Sequence, residues 1–216
     1  MTYTVYGASG SGSMPVEAAL TLIGADYRVV EAVTWEGEAG RDKVAVVNPM
    51  RQIPALVTEA GETLTESAAI LLWLTERHPE AGLAPAADDP RRAQFLRWMS
   101  FIPAAIYSMF WVRDVPSRLV GDDAAAQGVL KRRTAERIAD CWATMENQIE
   151  PGRFLLGDRL TVLDLYVTVV SRWTPRRARF AAVAPRMAEV VRRVDDLPEL
   201  AAFWAGRWPF ADGEAR

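Results

Sequence analysis

The spacing of apolar residues changes once along this chain of 216 residues, and that change limits the folds open to it. Up to about residue 80, short β-prone runs alternate with helical ones; beyond residue 88 the apolar pattern is helical throughout. The first part reads as a strand "YTVYG", then a helix "MPVEAALTLIG" stopped at Gly24, then a strand "YRVVEAV". A weak helix "AGRDKVAVVNP" follows, then a hairpin "ALVTEAGETLT" turning at "EAGE", and a helix "ESAAILLWLTERHP" closed by Pro79. The order β-α-β-α-β-β-α gives a mixed sheet with helices packed on it, because a βαβ start demands a crossover connection. The spacer "HPEAGLAPAADDP", rich in Ala, Pro and Asp, separates this part from an all-helical remainder. We therefore expect two domains, residues 1–79 and 88–216.

In the second part, residues from Asp89 to about Val112 read as one helix, apolar almost all round, which Pro103 should kink. The next helix carries a stripe at Leu130, Thr134, Ile138, Cys141, Trp142, Met145 and Ile149. Cys141 lies on that stripe, so it reads as a buried apolar filler. "GDRLTVLDLYVTVV" holds a capping box, Thr161 and Asp164 satisfying each other's backbone N–H, with Leu160 and Leu165 at staple positions. With its oxygens so engaged, Asp164 reads as a folding device and a poor catalytic candidate.

Composition excludes several classes. No run of 18 or more apolar residues and no basic-then-apolar leader is present, so no membrane span or secretory signal is expected. One cysteine and one histidine, His78, exclude a disulfide framework, a C-x-x-C pair and a zinc site; no metal is expected, and the location expected is cytoplasmic. The first 80 residues hold 5 Lys+Arg against 11 Asp+Glu, and no dense basic run follows, which argues against nucleic acid as a partner. Arg176, Arg177 and Arg179 form the one arginine cluster and read as a solvated turn between helices.

Four segments in order, "YGASGSGSMPVEAAL", "NPMRQIPALV", "LTESAAILLWL" and "GDRLTVLDLY", carry a resemblance. Together they make the chain resemble the glutathione S-transferase superfamily, bacterial cytosolic type, over essentially its whole length. The resemblance implies an α/β plus all-α fold, with a thioredoxin-like N-terminal domain and a C-terminal helical bundle, usually a homodimer. It also implies glutathione as co-substrate and a small hydrophobic electrophile.

Proline has no N–H to give a sheet, so Pro54, opening the run "ALV", belongs at an edge or a strand start. A plain trans proline suits that place; the resemblance implies a cis Ile53–Pro54 bond, aiming the Ile53 N–H and C=O outward to pair an extended tripeptide. The resemblance assigns Ser67 to the γ-glutamyl carboxylate, at a helix start where free N–H groups favour an anion, and Glu66 to charged or polar contacts at that end, including the γ-glutamyl amine. Taken locally, these residues read as an ordinary cap, Thr65 or Ser67 at the N-cap with Glu66 complementing the dipole. Arg51 stands where similar proteins often have Gly, adding a charge near the ligand.

Conjugation needs a thiolate, and a free thiol with pKa near 8.5 is mostly protonated at neutral pH. A hydroxyl donating to sulfur, with the first helix's start, favours the anion. "SGSGS" offers Ser9, Ser11 and Ser13; Ser11 is favoured, then Ser13, with Tyr6 at the strand end a further candidate. For the electrophile, the long helix offers Met99, Phe101, Ile106, Tyr107, Phe110 and Trp111, any of which core packing could claim instead. Arg113 could meet an acidic substrate or simply be solvated. A glutathione-dependent peroxidase and a non-catalytic binding protein of the same fold are the alternatives to a transferase.

Overall fold

The computed structural model describes residues 2–173 and 175–210. Four strands, β1 (Thr2–Gly7), β2 (Asp26–Glu31), β3 (Ala55–Val57) and β4 (Thr63–Thr65), form one sheet in the order β2-β1-β3-β4. β1 runs parallel to β2 and antiparallel to β3, and β3 is antiparallel to β4, so the sheet is mixed. Strand alternation buries Tyr3 and Val5 in the core shared with α1 (Met14–Ile23), leaving Thr4 and Tyr6 on the other face. Pro15 starts α1 without needing an N–H, and Gly24 ends it at φ 73°, its N–H bonded to the Leu20 and Thr21 carbonyls. α2 (Glu38–Ala45) buries only Val44, in keeping with its weak pattern. The β3–β4 turn closes through Gly61, at φ 80°, whose N–H reaches the Thr58 carbonyl. α3 (Ser67–Arg77) packs on α1 and, through Ile70, Leu71 and Leu74, joins the core.

After a 3-10 turn at Pro79–Ala81 the chain is helical. The long apolar helix is three pieces: α4 (Arg92–Phe101), a π-helical segment (Ile102–Tyr107) and α5 (Ser108–Asp114). Pro103 thus widens the helix as well as interrupting it. It cannot donate to a carbonyl one turn back, and the Ser108 N–H instead reaches the Pro103 carbonyl, an i→i+5 bond. The Ser108 hydroxyl donates to the Ala104 carbonyl at 2.6 Å, and the Cys141 thiol lies 3.6 Å from the Ala105 carbonyl, so the loosened carbonyls are covered. By length and hydropathy, residues 92–114 could cross a membrane; here Phe95, Trp98, Met99, Ile102 and Ile106 are fully buried inside the protein.

Then come α6 (Ser117–Val120), α7 (Ala124–Glu146), α8 (Val162–Val170), α9 (Arg176–Val183), α10 (Pro185–Asp195) and α11 (Pro198–Arg207). The α7 stripe turns Thr134, Ile138, Cys141, Trp142 and Met145 inward. Burial pushes the Cys141 thiol upward, away from thiolate chemistry. α8 is buried along its whole length and begins with the capping box. The arginine cluster departs from the expected solvated turn: α9 begins there, and Arg177 is buried, bonded to Asp195 at 2.7 and 3.2 Å and to the Thr168 carbonyl at 2.7 Å. A guanidinium so placed is paired because an unpaired buried charge is costly. Thr174 of that segment lies outside the described residues.

Candidate functional site

Sheet register assembles the cleft. Tyr6 pairs with Ala55, and Ala55 with Thr65, so the end of β1, Pro54 and Glu66 lie side by side. The Ile53–Pro54 bond is cis, and Pro54 is buried. Among the described residues, neither the N–H nor the C=O of Ile53 has a hydrogen-bond partner. Ile53 is half-buried, so it offers one donor and one acceptor to an extended chain.

Glu66 is the N-cap of α3, at φ 63° and ψ 104°, and its side chain makes no cap bond. A non-glycine residue at positive φ costs roughly 1–3 kcal/mol and is found where surrounding structure imposes it. The first intrahelical bond is Ile70 N–H to the Glu66 carbonyl, so the N–H groups of Ser67, Ala68 and Ala69 are left over. Ser67 is buried, and its hydroxyl lies 2.8 Å from the Tyr166 hydroxyl of α8. Burial raises the Tyr166 phenol well above the usual tyrosine range, so it stays protonated and can donate to Ser67.

The Arg51 guanidinium is engaged within the protein. It bonds Glu38 at 2.6 Å and Asp42 at 2.7 Å, both on α2, and Glu38 is held below the usual carboxylate range by that bond. The Arg51 backbone has φ 57°, the left-handed conformation that glycine adopts without strain.

The loop before α1 holds the serines. Ser9 is exposed and donates to the Arg207 carbonyl at 2.5 Å. Ser13, fully buried, donates to Glu17 at 2.6 Å. Ser11 is 3.0 Å from the Ser13 hydroxyl and accepts the N–H groups of Ala8 (3.3 Å) and Ser13 (3.1 Å). Glu17 is itself buried and paired with Arg207 of α11 at 2.7 Å, while Arg207 also meets Glu31. Tyr6 lies on the sheet face away from α1 and these serines.

The residues expected to meet an electrophile divide. Met99 and Ile106 are fully buried in the helical core, Phe101 packs edge-on against Trp98, and Trp111 is half-exposed under the Arg118 guanidinium. Phe110 and Tyr107 pack against Trp173, at ring separations of 5.1 and 4.8 Å. The Trp173 indole donates to the Gly10 carbonyl at 2.7 Å, and Trp208 lies against Gly10. Sequence reasoning missed Trp173 and Trp208: each follows a helix end, outside any periodic stripe.

Residues 5–82 match the N-terminal domain of glutathione S-transferases, and residues 118–207 match the C-terminal domain. The chain belongs to the glutathione S-transferase family. Its curated relatives include an uncharacterized GST-like protein, YncG, of Escherichia coli K12, 31% identical over 197 residues, covering 91% of this chain and 94% of that one. A probable maleylacetoacetate isomerase 1 of Drosophila melanogaster is 27% identical, covering 94% and 79%. Among solved structures, a glutathione transferase homolog from Sulfitobacter with bound glutathione superposes at TM-score 0.82 and 23% identity, covering 94% of this chain and 97% of that one. A sphingomonad glutathione S-transferase complexed with glutathione superposes at 0.75 and 26%, covering 94% and 98%. The fold is thus the family's thioredoxin-like domain followed by its helical domain.

Proposed function

We propose that this glutathione S-transferase binds glutathione in the cleft between its two domains and presents the thiolate to a small hydrophobic electrophile. The observation that carries the reading is the unpaired main chain of Ile53 beside the uncapped start of α3. An extended peptide adds to such an edge through its own backbone, and a carboxylate is favoured at such a helix start. Ile53 therefore takes the cysteinyl backbone, and Ser67 with the first α3 N–H groups takes the γ-glutamyl carboxylate. The Glu66 side chain, without a partner among the described residues, takes the γ-glutamyl amine. Pro54 forms the wall beside them. Arg51 acts at one remove, tying the Ile53 loop to α2.

The aromatic wall of Tyr107, Phe110 and Trp173 supplies the apolar side for the electrophile. Relatives named maleylacetoacetate isomerase support isomerisation as a second chemistry of the same site. The protein acts as a homodimer in this reading. Its support is apolar surface left uncovered around the N-terminal domain, with Trp35 57% and Met50 72% exposed. Light scattering giving twice the chain mass is the expected result.

The test is turnover. Purified protein with glutathione should conjugate a nitroaryl chloride or isomerise maleylacetoacetate, with glutathione-dependent saturation. Glutathione binding without turnover of these or of a hydroperoxide panel would favour a non-catalytic binding protein.

A further inference from the structure

A hydroxyl has one proton to give, so the group that serves a thiolate is found by asking where each nearby proton already goes. The Ser9 proton goes to the Arg207 carbonyl and the Ser13 proton to the Glu17 carboxylate. The two lone pairs of Ser11 face the N–H groups of Ala8 and Ser13. With the Ser13 proton on Glu17, the Ser11–Ser13 contact is made by the Ser11 hydroxyl donating, and its proton is also engaged. All three loop serines thus have acceptors within the protein.

Tyr107 differs. Its hydroxyl has no hydrogen-bond partner among the described residues. A Cβ placed on Gly12 would fall 2.5 Å from the Tyr107 Oη and 3.4 Å from Pro54 Cδ. The phenol therefore fills the notch that the missing side chain leaves, at the contact between the α1 loop and Pro54. Its ring is held there by Trp173, which the Gly10 carbonyl anchors in turn. The π-helical segment ends at Tyr107, and an added residue in a helical turn rotates the side chains after it by about 100°.

We propose that Tyr107, reaching from the helical domain into the notch at Gly12, donates the hydrogen bond that holds the glutathione sulfur as a thiolate, while the loop serines hold the loop. This rests on glutathione occupying the cleft. The phenol is suited to it: burial pushes its pKa up to about 12, with the Glu66 and Asp114 charges adding to the shift, so it remains a neutral donor at working pH.

Ultraviolet titration of the bound thiol, with calorimetry of glutathione binding, tests this in the wild type, Tyr107→Phe and Ser11→Ala. Tyr107→Phe should raise the pKa of the bound thiol by roughly one to two units, the worth of a hydrogen bond to a charged group, and weaken glutathione binding only above the wild-type bound-thiol pKa. Gly12→Ala, which pushes the phenol aside, should copy that shift and add little to it in the Tyr107→Phe background. A wild-type bound-thiol pKa in Tyr107→Phe, or a shift confined to Ser11→Ala, overturns the assignment while leaving glutathione binding intact. Absence of binding heat in the wild type overturns the glutathione reading itself.

Discussion

Asp164 has no exposed surface, and its carboxylate accepts the Leu155 N–H at 2.7 Å and both the N–H and hydroxyl of Thr161 at 2.8 Å. Desolvation outweighs these donors and lifts its pKa to about 6. An unfolded aspartate titrates near 3.9, so the folded protein binds this proton more readily. The stability this group contributes is full below about pH 4 and is lost as pH rises through about 6. Carbon-detected NMR of the carboxyl should show a midpoint near 6; a midpoint below about 4 would contradict the argument. Other residues yield their roles only in three dimensions. Arg51 was legible as an added charge but not as a partner of Glu38 and Asp42, because no local spacing points there. Arg177 read as solvated because its partner, Asp195, comes eighteen residues later on another helix.

Elements whose ends are set by local chemistry were legible in the sequence. Gly24 stops α1 where its left-handed backbone is needed, and the Thr161–Asp164 box opens α8 as its spacing indicates. Removing that cap should be felt at once: Thr161→Ala should lower unfolding free energy by about 1–2 kcal/mol, read as a lower denaturation midpoint with an unchanged slope. An unchanged midpoint would mean the box is not holding α8. The helix through Pro103 was legible in extent but not in kind. Proline signals a break; whether the chain bends, stops or widens depends on what covers the freed carbonyls, here Ser108 and Cys141. The same difficulty hid the division of its apolar residues. An all-round apolar helix does not say that Met99 and Ile106 point to the core while Tyr107 and Phe110 pack against Trp173.

At the scale of the whole molecule, the two-part architecture was legible because the hydrophobic period itself changes, whereas the contacts joining the parts were not. Three such contacts are Ser67 with Tyr166, Gly10 with Trp173, and Glu17 with Arg207. Glu17 is fully buried, so deleting its cation leaves an uncompensated charge, which costs about 3–5 kcal/mol. Arg207→Ala should lower thermal and denaturant stability by that order, and the double variant Arg207→Ala with Glu17→Gln should recover part of it. A fully stable Arg207→Ala would show that the pair does not join the domains. The anchors proposed at Ile53 and α3 became readable only through resemblance, since an unpaired backbone group leaves no mark in the sequence. The most direct test of the account is titration calorimetry with glutathione against cysteinylglycine, which lacks the γ-glutamyl arm. Saturable heat with glutathione and affinity weaker by roughly tenfold or more for the dipeptide is predicted, the loss expected from charge-assisted hydrogen bonds. Equal affinity for both peptides, or no saturation with either at millimolar concentration, would contradict it.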